Sequence, residues 1–258
     1  MNYSEYLNLP KLLALQHPRS APPEHDEMLF IVIHQTYELW FKLMLHELER
    51  IRSELSAGDL YGSIAGFQRV RTVMKTLVAQ LDILETMTPM SFASFRDRLD
   101  TSSGFQSYQF REIEFILGYK RAEAMAFFRP GDAGYDAMQK RLRESSVVDA
   151  LYDFLQKQGV AIPATLRQRD SALPAIPDPQ IQDALLNLYK TRPDLAILFE
   201  LMTDFDEGQQ EWRYRHVKIV ERTIGAKKGT GGSPGVEFLK RSLFNPVFAD
   251  LWAIRHRI

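Results

Sequence analysis

Two stretches of this chain repeat apolar residues at helical spacing over many consecutive turns. Only long helices would gather those residues on one side. Between Glu24 and about Leu55, Phe30, Tyr37, Met44 and Ile51 form one heptad row, and His34, Phe41, Leu48 and Leu55 form the row beside it. Between Asn187 and Gly225, interrupted near Arg192-Pro193, the rows are Leu198, Phe205, Trp212 and Ile219, then Met202, Gln209, His216 and Thr223. Residues seven apart share nearly the same helix face, whereas a strand would throw them to opposite sides. Glu24, Asp26 and Glu27 suit a helix start and Gly58 its end. Lys218 and Arg222 precede the stop at Gly225, where cations suit the helix dipole.

The remaining pattern is also helical. Ile64, Phe67, Val70, Met74, Leu77, Leu81 and Leu84 mark a helix over Asp59–Glu85. Thr88-Pro89 reads as an N-cap followed by proline at the first helical position, opening a short helix through Leu99 on which Phe92 and Arg96 are neighbours. After the turn cluster Asp100–Gly104, helix resumes from Phe105 to Leu117. It continues more weakly from Tyr119 to Gly159, broken at Arg129–Gly134. Ser233-Pro234 and Asn245-Pro246 each resemble a cap plus proline, predicting two short closing helices. No stretch alternates with period two, and Asn-Gly and Asp-Gly turns are absent. The expected fold is all-α, a single domain over residues 1–258, with the proline-rich run Ile162–Pro179 as the best linker candidate.

Charge and composition remove several classes of function. Lysine and arginine total 32 against 33 acids, a net charge of -1, so no electrostatic footprint for nucleic acid or an anionic membrane is expected. The absence of cysteine excludes disulfides, thiolate metal sites, iron–sulfur clusters and covalently attached haem. The longest apolar run, Met28–Ile33, is too short to span a bilayer, and Met1–Glu5 lacks a basic, apolar leader pattern. A cytoplasmic protein is the expectation.

His34 and His216 are the chemical clue, because each stands on an apolar face of a different long helix. An inward imidazole is either a core residue satisfied by a neighbour or a ligand to a metal or haem. Spacing excludes a His-Glu-x-x-His zinc helix and the Glu-x-x-His pairs of di-iron bundles. The run Gly229–Gly235 follows a helix and matches neither nucleotide-binding glycine pattern. It is a surface turn, or a loop whose N–H groups and Thr230 hydroxyl wrap a small anionic or zwitterionic ligand. A non-covalent haem fits two inward histidines. Ligation by both gives a bis-histidine electron-transfer protein, and ligation by one leaves the opposite face open for oxygen and substrate. Periodicity does not choose between them.

Longer motifs resemble a known family. His25-Asp-Glu-Met-Leu-Phe30, His34-Gln-Thr-Tyr-Glu-Leu-Trp40, Leu84-Glu-Thr-Met-Thr-Pro89 and Phe95-Arg-Asp97 are similar to the tryptophan 2,3-dioxygenase family. So are Ser102-Ser-Gly-Phe-Gln-Ser107, Trp212-Arg-Tyr-Arg-His216 and Lys228-Gly-Thr-Gly-Gly-Ser233. The resemblance covers nearly the whole chain. It implies a homotetrameric, helical enzyme with haem b, inserting both atoms of O2 across the indole C2–C3 bond of L-tryptophan to give N-formyl-L-kynurenine. It implies His216 as the iron ligand and His34 as the distal catalytic residue that hydrogen-bonds the indole N–H. Phe30 and Phe92 would pack on the indole, Arg96 would hold the carboxylate, and Thr230 would touch the ammonium and carboxylate end. Ser103 and Gly104 would line the face near bound oxygen. Residues 1–20 would contact a neighbouring subunit, with Tyr3 and Tyr6 reaching its pocket. Position 92 is Phe where some members carry Tyr, which keeps the ring and loses a hydroxyl.

Overall fold

The computed structural model describes residues 1–230 and 235–258, with Phe238 described through its backbone only. Among these residues there is no strand. The α-helices of five residues or more are α1 (Tyr3–Leu7), α2 (His25–Ala57), α3 (Leu60–Leu84), α4 (Pro89–Arg96), α5 (Tyr108–Leu117), α6 (Tyr135–Arg143), α7 (Val147–Lys157), α8 (Pro179–Thr191), α9 (Pro193–Ile224), α10 (Val236–Lys240) and α11 (Ala249–Ala253). No helix among them is long and apolar enough to cross a membrane.

The long helices end where local chemistry stops them. Gly58 terminates α2 at a φ of 81°, left-handed backbone that glycine adopts without a Cβ penalty. Asp59 then caps α3, its carboxylate accepting from the Gly62 N–H. Thr88 caps α4 by accepting from the Ser91 N–H, with Pro89 at the first helical position. The α2–α3 hairpin is antiparallel. A Cβ built on Gly66 would sit 2.4 Å from Ile51 Cγ1, so bare backbone is what lets the two helices approach there. Further along, the Tyr37 hydroxyl donates to the Leu77 carbonyl at 2.7 Å.

Helix α9 lies on the other side of α3 and runs parallel to it. Phe205 packs edge-on against Phe67, and Arg215 reaches Asp82 and Glu85 near the end of α3. The first half of α2 and the second half of α9 therefore share one end of the molecule. At the opposite end the heptad rows close into a dry core, with Met44, Leu48, Ile51, Leu55, Leu198 and Phe205 fully buried. Toward the shared end the same rows stop filling space and become the wall of a cavity.

The proline-rich run Ile162–Pro179 does not separate the chain into two bodies. Leu166 joins the main core, Arg167 donates to Asp153 and Arg169 pairs with Asp149, so the run is stitched along α7. The stretch expected to be weakly helical after Tyr119 resolves into a 3-10 segment (Ala122–Phe127), α6 and α7. One capping expectation is corrected. Asn245-Pro246 opens no helix, because α11 begins at Ala249. The Asn245 amide instead donates to Tyr119 Oη and to the Arg241 carbonyl, which ties down a loop. The Ser233-Pro234 cap lies outside the described residues.

Candidate active site

The cavity at the open end has a volume of about 780 Å³. That is toward the upper end of the roughly 300–1,000 Å³ range of pockets that bury most of a ligand. Its walls follow from the topology. Helix α2 contributes Phe30, His34 and Phe41, α3 contributes Leu81 and Leu84, and α9 contributes Trp212 and His216. Helix α4, the turn 102–107 and α5 close the remaining sides.

His34 faces this space, its side chain accessible from the cavity. Its Nδ1 lies 2.7 Å from the Phe30 carbonyl one turn earlier. A carbonyl oxygen can only accept, so Nδ1 carries the proton and the Nε2 lone pair is left for the cavity. Burial lowers the His34 pKa below its ordinary value, against the Phe30 hydrogen bond and the nearby Glu38 charge, which both raise it. The ring is a neutral acceptor. Phe30 packs against it with centroids 4.1 Å apart, and Phe92 and Phe95 extend the aromatic wall at 5.8 and 5.6 Å from Phe30.

His216 stands on the far wall. Its imidazole stacks on Trp212, one turn earlier, at 5.1 Å and an interplanar angle of 11°. Burial, with smaller contributions from His34 and Arg111, pushes its pKa down to about 4, so it too is neutral. Neither ring nitrogen has a hydrogen-bonding partner among the described residues. Trp212 is held in turn by the rings of Phe110, Tyr37 and Phe41, which makes the face beneath His216 rigid.

The start of the glycine-rich run, Lys228 to Thr230, is tied down beside the cavity. Arg96 Nη2 donates to the Lys228 carbonyl at 2.7 Å, and the Thr230 hydroxyl donates to the Ser102 carbonyl. Two residues expected to touch ligand thus anchor the described start of the run, Lys228 to Thr230. Gly231 and Gly232 lie outside the described residues. Ser103 caps the 3-10 turn Gly104–Gln106, its hydroxyl accepting from the Phe105 N–H while Gln106 reaches back to the Ser103 N–H. A Cβ on Gly104 would meet no atom within 4 Å, so protein packing does not fill the wall there.

Phe30, His34, Phe92, Arg96, Ser103, Gly104, His216 and Thr230 therefore all line one cavity. Tyr3 and Tyr6 do not. They are 74% and 75% exposed on α1 and are not part of the cavity wall of their own chain. Sequence reasoning missed a group on the inner wall: Arg111, Arg121 and Arg213 around the buried carboxylate of Glu114. Its one trace in the sequence is Arg111 and Glu114, opposite charges three apart on one helix turn of the run 110–117, which also holds Glu112.

Comparison with known proteins points to the same chemistry. A family model described as tryptophan 2,3-dioxygenase matches residues 1–163 and 180–258, leaving out most of the proline-rich run. The tryptophan 2,3-dioxygenase of Herpetosiphon aurantiacus is 49% identical over 255 residues, covering 99% of this chain and 97% of its own. That of Anaeromyxobacter sp. strain K is 46% identical, with 99% and 95% covered. That of Geobacillus thermodenitrificans is 41% identical over 261 residues, with 100% and 92% covered.

Proposed function

The chain belongs to the tryptophan 2,3-dioxygenase family, and from that premise we propose that it holds haem b non-covalently on His216 and oxidises L-tryptophan to N-formyl-L-kynurenine in the space between His216 and His34. The observation that carries this reading is the pair of opposed, neutral imidazoles with different engagements. His216 has no hydrogen-bond partner among the described residues, while His34 is locked as a neutral acceptor by the Phe30 carbonyl.

The residues fit the cofactor. Among the described residues no group of three His, Cys, Asp or Glu side chains could hold a bare metal ion, so an iron on His216 must bring the rest of its coordination with it. A neutral imidazole is the form that ligates iron, and a pKa of about 4 keeps it so at physiological pH. When bound, haem supplies the redox chemistry that activates O2. The protein supplies position and exclusion of water.

In this reading Phe30 and Phe92 flank the indole, and His34 Nε2 accepts from its N–H. Arg96 offers a planar fork to the carboxylate, a charge-assisted contact worth about 1.5–3 kcal/mol. The His34 contact, between neutral groups, is worth about 1 kcal/mol and orients the ring more than it sets affinity. Thr230 meets the ammonium and carboxylate end, and Ser103 and Gly104 border the space left for oxygen. The reading includes a homotetramer in which Tyr3 and Tyr6 reach a neighbour's cavity, and a cytoplasmic location. The alternative of bis-histidine electron transfer is not favoured by the family relationship, and such a carrier has no use for an Arg96–Thr230 grip.

The test is a formylkynurenine absorbance assay on ascorbate-reduced, haem-loaded protein, paired with the ferrous spectrum. Product formation and a five-coordinate ferrous haem that binds CO are the expected results. A six-coordinate low-spin ferrous haem that makes no product would overturn the reading.

A further inference from the structure

One acid of the motif His25-Asp-Glu-Met-Leu-Phe30 is engaged outside the cavity. Glu27, in the first turn of α2, is only 2% exposed. Its Oε1 accepts from the Arg19 N–H at 2.6 Å, and its Oε2 accepts from the Ser20 N–H at 3.0 Å and from the Ser20 hydroxyl. The same hydroxyl accepts from the N–H of Glu24, the N-cap of α2, at 2.9 Å. A glutamate at the third helical position ordinarily reaches back to the N-cap N–H itself. Here Ser20 stands between the two, so the helix start is tied to the chain that precedes it. Burial would raise the Glu27 pKa, but the Ser20 hydroxyl and the two N–H groups hold it below the ordinary carboxylate value, and the latch is anionic at neutral pH.

Residues 1–20 have little else to hold them. None of them is buried, and none belongs to either hydrophobic cluster of the core. Their other tie to α2 is the pair of amide hydrogen bonds between Gln35 and Leu15–Gln16. Glu27 and Gln35 lie eight positions apart on α2, about 12 Å along its axis. The stretch 15–20 therefore runs antiparallel to the start of α2 and is fastened at two points. One attachment would let it swivel, whereas two set the line along which α1 leaves the molecule. A buried carboxylate needs donors around it, and among the described residues all of those on Glu27 come from residues 19 and 20. Its charge is committed to fixing the base of the N-terminal segment.

We propose that Glu27 is a positioning residue for a neighbouring subunit's site: by fixing the base of segment 1–20 it sets where Tyr3 and Tyr6 arrive in that neighbour's cavity. This rests on the assembly proposed above, in which the two tyrosines cross to another copy. Glu27 is not part of the cavity wall of its own chain. It acts through direction alone. A carboxylate seats two consecutive N–H groups at once, where a neutral amide would turn its own N–H toward one of them.

The experiment measures KM on intact, haem-loaded protein, with Glu27→Ala alone and in a chain that also carries Tyr3→Ala and Tyr6→Ala. Glu27→Ala should raise the KM for tryptophan about three- to tenfold, with kcat within about twofold and the Soret band unchanged. Glu27→Gln should fall between. Added to the tyrosine variant, Glu27→Ala should change KM by less than about twofold, because nothing is left to aim. Glu27→Ala chains are then coexpressed with an excess of His216→Ala chains and purified through a tag on the former. The working sites of these hybrids receive tyrosines from intact neighbours, so their KM should return to the unmodified value. A Glu27→Ala effect that persists without the tyrosines, or a KM that stays high in the hybrids, overturns the proposal and places the effect within its own chain. If the tyrosine variant leaves KM unaltered, the crossing itself fails and the proposal falls with it. If the tyrosine variant raises KM and Glu27→Ala does not, only the role of Glu27 is lost. Ser20→Ala removes the bridging hydroxyl and spares the carboxylate, and it carries the same cycle where Glu27→Ala assembles poorly.

Discussion

His34 is the residue at which structure makes the sharpest claim about chemistry. Its Nδ1 is committed to the Phe30 carbonyl, so in the proposed reaction its contact with substrate would come from Nε2 as an acceptor. One hydrogen bond between neutral groups is worth about 1 kcal/mol, which predicts a fall in kcat/KM of roughly five- to tenfold for His34→Ala, with haem content unchanged. A substrate methylated at the indole nitrogen has no proton to offer. It should be discriminated against by the unmodified enzyme and accepted about equally with tryptophan, within a fewfold, by His34→Ala. Equal discrimination by both would mean that His34 does not read the indole N–H. The same residue fixes a pH dependence. Protonating Nε2 turns the acceptor into a donor, and burial, which lowers the pKa from the ordinary 6.5, disfavours that charge. Activity that needs the neutral ring is present above the folded pKa and lost as pH falls through it. A profile of kcat/KM between about pH 5.5 and 8 should therefore show no acid limb centred at the unperturbed histidine value of about 6.5. A limb there that disappears in His34→Ala would refute the neutral-acceptor assignment.

At the scale of elements, the cavity is walled at one end by the same three long helices that build the core at the other. The heptad rows of α2 and α9 continue without change of composition from the dry core into the cavity, so their pattern already placed His34 and His216 inward. What periodicity could not give was the relative direction of the helices, since a stripe says which face is buried and nothing about which end meets which. That comes from α3, antiparallel to α2 and parallel to α9. Phe92 and Arg96 were legible as neighbours on one helix face, with Thr88-Pro89 marking its start. The arginine cluster was not. Arg111, Arg121 and Arg213 come from three separate segments, and local spacing rules reach only charges that share a helix turn. The close approach of α2 and α3 carries a stability test. In Gly66→Ala the new methyl would lie 2.4 Å from Ile51 Cγ1 and must push the helices apart. Overpacking of this kind costs about 1–3 kcal/mol, several degrees of melting temperature in a chain this long. Ile51→Ala added to Gly66→Ala should be less destabilising than the sum of the two changes, because the bulk that clashes is gone. Strict additivity in thermal melts would show that the helices do not meet there.

For the whole molecule, the distribution of exposed apolar side chains favours assembly. Tyr3, Tyr6, Leu13 and Leu15 are exposed along the N-terminal segment, and Met28, Val32 and Leu39 form an outward stripe on α2. The segment is not loose against its own chain. The Gln16 amide donates to Gln35 Oε1 at 2.6 Å and the Gln35 amide to the Leu15 carbonyl at 3.1 Å, which straps it to α2 and leaves α1 projecting. In the proposed assembly this strapped segment, with its two tyrosines outward, would meet another copy, and the proposed destination is that copy's cavity. The intact protein should then run by light scattering well above the 29.8 kDa of one chain. Tyr3→Ala with Tyr6→Ala should raise the KM for tryptophan about three- to tenfold, the worth of one or two aromatic contacts, while the far-UV spectrum and the Soret band stay as they were. Because neither tyrosine touches the cavity of its own chain, an effect on KM can arise only across an interface. An assembled double variant with an unaltered KM would place the tyrosines in the interface and outside the neighbour's site.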